Sequence, residues 1–571
     1  MIRKSLISLA VAITTVLGAA CVQNSEPTAP ARVEAPSQVP QEQTVVIEEV
    51  HREAEHKLLP AVPVLTRPAA KMRMADALVA QGLSIVRVPV EPVNRENYAH
   101  FTDNPVRRAA EHPLSTFSID VDSGAYSNVR RMINAGQLPV RDAVRVEEMI
   151  NYFSYAYPLP DSDKTPFRVT TEIGPTPWNS ATRLLHVGIK GYDIDRRDLP
   201  PANLVFLVDV SGSMQSQDKL GLLKSALTLL TRQLREQDRI SLVVYAGASG
   251  VVLEPVSGRE GAKIQNALEG LTAGGSTNGA AGIRLAYRMA EQAFIEDGIN
   301  RVIIATDGDF NVGTVSFEAL LDLVREKRKS GIALTTLGFG TGNYNDRLME
   351  QLADVGNGNY AYIDTLNEAQ KVLVDEMGST LQTIAGDVKI QIEFNPAVVA
   401  EYRLVGYENR TLQREDFSND KVDAGDIGAG HTVTALYEIA LVGEGGQRME
   451  ALRYSRENKP SPDAGKELAL LRLRYKQPGE TRSRLIETPL YRADIMSDPG
   501  KTSDRFRFAA AVAGFGQLLR GGKYVEDFDY TSVLELARNA RGTDRFGYRG
   551  EFIQLVNLAA SLQQQQVRAG R

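Results

Sequence analysis

Between residues 203 and 383 short apolar runs alternate with amphipathic helical patterns, and this alternation restricts the fold more than any other feature of the 571-residue chain. The strand-like runs are 204–208, 240–245, 251–253, 302–305, 333–338 and 360–363. The helix-like runs are 219–236, 262–271, 280–296, 317–329, 344–353 and 366–381. Strands that are apolar throughout need cover on both faces, and helices alternating with them supply it. The expected architecture is an α/β fold with a doubly wound, mostly parallel, Rossmann-like sheet over 201–383. In such sheets ligands bind outside the carboxyl ends of the strands.

The sequence on either side has a different texture. Residues 96–200 read as an N-terminal α/β extension packing on the α/β domain. Val146, Met149, Ile150 and Phe153 recur there at helical spacing, and "FRVTTEIGPTPW" and "TRLLHVGIKGYDI" read as two strands around a turn. After Gly386, "VKIQIEFN", "EYRLVGYE", "TVTALYEIAL" and "ELALLRLRYK" alternate with period two. That is the pattern of antiparallel strands, and it defines a β-rich domain over 384–500. Residues 501–571 return to helical patterns.

The single cysteine, Cys21, follows Arg3 and Lys4, an apolar run over 6–17 and the small residues Gly18, Ala19 and Ala20. A basic start, a short apolar core and small residues before a cleavage point make a secretory signal of 1–21. The apolar run is shorter than a membrane span needs. The segment resembles a bacterial lipoprotein signal, although Gly18 stands where such signals usually carry Leu. That resemblance implies lipidation of Cys21 and attachment to a bacterial membrane of the cell envelope, facing the periplasm or exterior. An ordinary secreted chain is the other reading. Residues 22–95 hold nine of the 26 prolines and read as a disordered tether, with a short helix near 71–81. The net charge of −6 offers no basic face for nucleic acid.

The stretch "LVFLVDVSGSM" ends an apolar strand in Asp209, followed at alternate positions by Ser211 and Ser213. Alternation sends the carboxylate and both hydroxyls to one side, above the sheet. "TAGGSTNGAAGI" places Thr277 just before a helix, and "VIIATDGDFNVG" places Asp307 at the end of another apolar strand. Carboxylates and hydroxyls converging on one edge suit a hard divalent cation.

These segments resemble the metal-ion-dependent adhesion site of von Willebrand factor type A domains. The family pattern is Asp-x-Ser-x-Ser, then a loop threonine, then a loop aspartate after the fourth strand, and Asp209, Ser211, Ser213, Thr277 and Asp307 match all five positions. The resemblance covers the α/β domain and implies Mg²⁺, with Mn²⁺ or Ca²⁺ as alternatives. It also implies a partner protein that presents Asp or Glu to the metal. "STFSIDVDSGAYSNVRRMIN" and "VRVEEMINYF" extend the likeness to bacterial type A domain lipoproteins. In some members the terminal helix of the domain, here 366–381, moves to switch affinity.

Each residue also has a plainer reading. Asp209, Ser211 and Ser213 could form a capped turn, Thr277 a helix N-cap and Asp307 an Asp-Gly turn, with Asp309 a solvated turn residue. "IDVDSGAYSNVRR" lacks EF-hand spacing, because Arg131 stands where Asp120, Asp122 and Gly124 would require a bidentate Glu. Trp178 reads as core or junction packing, and "RYSRENKP" as a solvated loop. The chain has no G-x-S-x-G elbow and no His-Glu metalloprotease pair, and its six histidines are scattered. The expectation is therefore a binding module and no enzyme. The alternatives are a structural or assembly subunit of an envelope complex, with metal secondary, and a regulatory adaptor.

Overall fold

The computed structural model describes residues 95–119, 121–161, 165–308, 316–450 and 466–569. Cys21, the signal, the tether up to residue 94, Asp120, Asp309 and the stretch 453–460 lie outside these residues.

Ala202–Asp209 is the central strand of a six-stranded sheet. Across the sheet the order is Tyr360–Ile363, Ala333–Phe339, Ile299–Thr306, Ala202–Asp209, Arg239–Tyr245 and Ser249–Ser257. The first five are parallel, and the edge strand Ser249–Ser257 is antiparallel to its neighbour. Leu204, Phe206 and Val208 face one helical layer, and Val205 and Leu207 face the other, as strand geometry requires. Leu223, Leu227 and Leu230 of helix Leu222–Thr231 close the first face. Ile283, Ala286 and Ala290 of helix Gly279–Gln292 help close the second. The α/β class expected from the alternation is the observed one.

From Ala202–Asp209 the chain passes first to the strands on one side and then to Ile299–Thr306 on the other. The crevice between these two strands is the topological switch point, where loops leave in opposite directions and open a site.

Before and after the α/β domain, the chain builds one interleaved body. Asn179–Gly191 pairs antiparallel with Thr432–Leu441, Leu185 lying opposite Tyr437, and Leu114–Ser118 pairs with Thr383–Phe394. One sheet runs Arg107–Arg108, Val399–Val405, Thr432–Leu441, Asn179–Gly191, Phe167–Thr176. The other contains Ile427–Gly428, Thr383–Phe394, Glu467–Lys476 and Arg484–Tyr491, with Leu114–Ser118 also on Thr383–Phe394. Side chains of both sheets, among them Phe117, Leu185, Ile390, Ile392 and Tyr437, share one core. Helices Gly124–Asn134, Val146–Asn151, Asp504–Leu519, Tyr530–Asn539 and Tyr548–Ala569 form a further core with Trp178, Leu184 and Leu436. The extension 96–200, the β-rich domain 384–500 and the helical segment 501–571, expected as separate pieces, are thus corrected to a single unit. Period-two alternation marks a strand but not its partner, and here the partners lie on opposite sides of the α/β domain.

A second correction concerns 366–381, expected as one helix. It breaks into Leu366–Gln370, a wider π-type turn Lys371–Asp375, and Met377–Leu381. Both ends are fixed by the flanking body. Arg130 bonds Asp364 and also Glu368, the latter at 2.8 Å, and Lys371 Nζ sits 4.4 Å from the centroid of Tyr152. At the other end the Ser379 carbonyl comes so close to Gly428 that a Cβ there would lie 1.7 Å from it.

Trp178 packs at the junction, donating to Glu438 Oε2 at 3.2 Å with its ring edge-on to Phe528. Asp122 accepts from the Tyr360 amide at 2.8 Å and pairs with Arg410, which makes it a structural turn residue.

Candidate metal centre

Asp209 ends the central strand and is fully buried. Its Oδ1 accepts from the Ser211 amide at 2.8 Å, and its Oδ2 accepts from Thr306 Oγ1 at 2.8 Å and Tyr245 Oη at 3.1 Å. All three donors are neutral, and no cation pairs with Asp209 among the described residues. Burial, with the negative charge of Asp307 nearby, holds its carboxyl above the usual carboxylate range.

The turn after Asp209 brings the Ser211 and Ser213 hydroxyls to 3.0 Å. The Gly212 amide donates to Gly275 O at 3.0 Å, and the Gly274 amide to Val210 O at 2.8 Å. These bonds stitch the turn to the loop that carries Thr277. Asn278, not Thr277, caps helix Gly279–Gln292 by accepting from the Ala281 amide at 3.4 Å. The half-buried Thr277 is therefore free of the capping role.

Asp307 directly follows strand Ile299–Thr306 and is fully buried. Its Oδ2 accepts from Lys219 Nζ at 2.9 Å and Asn343 Nδ2 at 3.1 Å. Gly308, at φ 80°, turns the chain away immediately afterwards. The structure thus gathers Asp209, Ser211, Ser213 and Asp307 around the switch point, with Thr277 on a loop bonded to the same turn.

The donor set fits a hard divalent cation on two observations. Neighbouring ligands of an octahedral ion with metal–oxygen distances of about 2.0–2.1 Å lie about 2.9–3.0 Å apart, and the Ser211 and Ser213 hydroxyls are spaced 3.0 Å apart. A buried carboxylate with only neutral partners also gains from a cation beside it.

Sequence reasoning missed Thr306, Tyr245, Lys219 and Asn343. Thr306 adjoins Asp307, and Tyr245 ends the neighbouring strand, so strand-end position was the available signal for both. Lys219 and Asn343 reach the site from the helix after the serines and the loop after Ala333–Phe339, and no spacing rule announces either.

The family models that match the chain agree with this architecture. The family described as von Willebrand factor type A domain matches residues 203–376, and that described as von Willebrand factor matches 92–186. Residues 379–562 match the family described as uncharacterized protein YfbK, C-terminal. The chain is 50% identical over 469 residues to the uncharacterized protein YfbK of Escherichia coli strain K12, spanning 81% of this chain and 80% of that protein. It is 30% identical over 161 residues to the human inter-alpha-trypsin inhibitor heavy chain H3, spanning 27% of this chain and 18% of that one. Among solved structures, a von Willebrand factor type A protein from Catenulispora acidiphila aligns at 15% identity over 68% of this chain and 89% of that chain, with a TM-score of 0.37.

Proposed function

From its membership of the YfbK family and its von Willebrand factor type A domain, we propose that this chain is a protein-binding module of the cell envelope that recruits an acidic partner through a metal-ion-dependent adhesion site. The observation that carries the reading is the buried Asp209, paired with no cation among the described residues, beside two hydroxyls 3.0 Å apart at the switch point. Asp209, Ser211, Ser213, Thr277 and Asp307 would hold Mg²⁺, or Mn²⁺ or Ca²⁺ in its place. When bound, the ion supplies an electrophilic centre for a carboxylate of a partner protein. The chain's own contribution is to fix the ligands. Tyr245 and Thr306 orient Asp209, and the Gly212–Gly275 bond sets the serine turn against the Thr277 loop.

We read the protein as a non-enzyme. Ser211 and Ser213 bond to each other, and among the described residues neither has a histidine or lysine partner that could act as a base. Attachment through lipidated Cys21 would place the module on a bacterial membrane, and Cys21→Ser should release it from the membrane fraction.

The decisive experiment is calorimetric titration of Mg²⁺ into the full-length protein and into Asp209→Ala. The reading expects heat of binding from the first and none from the second, and equal binding by both would end it. One observation favours the alternative of a structural or assembly subunit: Lys219 already supplies a cation to Asp307. Pull-down with and without EDTA separates the two, since loss of the partner on chelation supports metal-dependent recruitment and its persistence supports constitutive docking.

A further inference from the structure

We propose that Lys219 sets the charge of the adhesion site, so that its metal-loaded form demands an acidic ligand. The inference rests on the metal reading above.

Lys219 is no ordinary surface lysine. It is 6% exposed, and its Nζ lies 2.9 Å from Asp307 Oδ2 and 2.9 Å from Asn343 Oδ1. Asn343 Nδ2 donates to the same Oδ2 at 3.1 Å, so lysine, amide and carboxylate close a triangle. The stem of the lysine has been given room. A Cβ on Gly340 would lie 2.3 Å from Lys219 Cε and Cγ, and Gly340 has φ +76°.

The loop bearing Asn343 is itself held. Arg95 and Asn97 donate their amides to Gly342 O and Tyr344 O at 2.8 and 2.9 Å, and the Gly342 amide donates to Glu96 Oε1 at 3.0 Å. Lys219 also sits in the first turn of the helical stretch that begins at Gln217. A cation is unfavourable there against the helix dipole. A buried ammonium with a cut-out for its stem, on the wrong end of a helix, needs a role at the carboxylate it meets.

Charge counting gives that role. Asp209, Asp307 and Lys219 sum to −1. A divalent cation brings the site to +1, and one carboxylate from a ligand returns it to zero. Without Lys219 the same steps run from −2 to zero and then to −1. Lys219 therefore weakens the hold on the metal alone and strengthens the hold on an acidic ligand once the metal is in place. A unit charge a few ångströms away is worth about tenfold or more in affinity at an effective dielectric of about 20.

The two effects have opposite signs, and a structural role would not produce that. The test uses full-length protein, Lys219→Met, Lys219→Gln and Lys219→Arg, titrated calorimetrically with Mg²⁺ in the absence and presence of acetate as the carboxylate probe. By linkage, the factor by which acetate tightens Mg²⁺ equals the factor by which Mg²⁺ tightens acetate. Lys219→Met and Lys219→Gln should bind Mg²⁺ alone about tenfold more tightly and lose the tightening by acetate, and Lys219→Arg should keep both wild-type values. Weaker Mg²⁺ binding by the neutral variants, or an unchanged acetate effect, overturns the proposal. Should either neutral variant melt below the wild type, the Mg²⁺-induced rise in its melting temperature replaces calorimetry, and a rise no larger than that of the wild type also overturns it. Failure of the metal reading itself shows separately, as undiminished Mg²⁺ binding by Asp209→Ala.

Discussion

Arg145 of the flanking body grips Asp346 of the α/β domain with both terminal nitrogens, Nη1 to Oδ2 at 2.6 Å and Nη2 to Oδ1 at 3.2 Å, and each side chain is 1% exposed. The same guanidinium meets Glu148 and, at 3.4 Å, Glu350. Tyr360 donates to Asp346 Oδ1 at 2.5 Å and accepts from Tyr344 Oη at 2.7 Å. Domain and flank therefore share a buried charge cluster.

Removing Arg145 takes away the guanidinium that Asp346 and Glu148 share, while Glu350 keeps Arg410 at 3.4 Å. Arg145→Met should cost about 3–5 kcal/mol in urea denaturation. Adding Asp346→Asn should recover part of that loss, because one stranded charge is gone. A single-variant cost below about 1 kcal/mol, typical of an exposed pair, would show that the cluster contributes little.

Thr277 and Asn278 are neighbours with different roles. Asn278→Ala removes the cap of helix Gly279–Gln292 and should cost about 1 kcal/mol in thermal or chemical melts. Thr277→Ala should leave stability within about 0.5 kcal/mol and weaken Mg²⁺ binding in calorimetry. The reverse pattern would return Thr277 to the role of a cap.

Gly428 faces the Ser379 carbonyl with no space for a methyl group, a Cβ there falling 1.7 Å from the oxygen. Gly428→Ala should destabilise the protein by about 1–3 kcal/mol, since two backbones must part. Hydrogen exchange localises the effect, with faster exchange expected at the 378–382 amides, which close the α/β domain.

Three groups give the stability profile opposing slopes with pH, His186 and His431 on one side and Asp426 on the other. Burial, and then the charge of Arg505, lowers His186 to about 3. Its folded pKa is thus below the unfolded value of about 6.5, so stability is full above about 6.5 and is lost as pH falls toward the folded value. Burial and the Lys371 and Lys190 charges likewise lower His431 to about 3. Asp426 goes the other way, pushed up to about 7 chiefly by burial. Its contribution is present below the unfolded pKa of about 3.9 and is lost as pH rises through the folded value. Denaturation across pH should show a shallower acid limb for His186→Gln, and greater stability than wild type above neutrality for Asp426→Asn. An Asp426→Asn profile parallel to that of the wild type would place the titration elsewhere.

The α/β domain was legible because its information is local. Each apolar run such as 204–208 declares a strand, each intervening period a helix, and Asp209 and Asp307 fall at strand ends that the run lengths locate. The flanks were legible only as elements. Alternation in "TVTALYEIAL" marks a strand but says nothing of Asn179–Gly191 as its neighbour. The break within 366–381 was hidden because the contacts that hold its two ends, from Arg130 and Gly428, come from other segments. Lys219 was hidden for a similar reason, since its partner Asp307 is distant in sequence.

The pairing of Asn179–Gly191 with Thr432–Leu441 has a consequence for the order of assembly. During synthesis the first of these strands leaves the ribosome well before the second exists, and the α/β domain emerges between them with its own sheet complete. That domain has all its strand partners before the trailing half is present. The strands ahead of it must wait with open edges until the trailing half arrives, and closing so long a loop is slow compared with local folding. A chain interrupted after residue 383 would therefore carry an intact α/β domain on an unfinished scaffold, whose exposed strand edges invite aggregation or proteolysis.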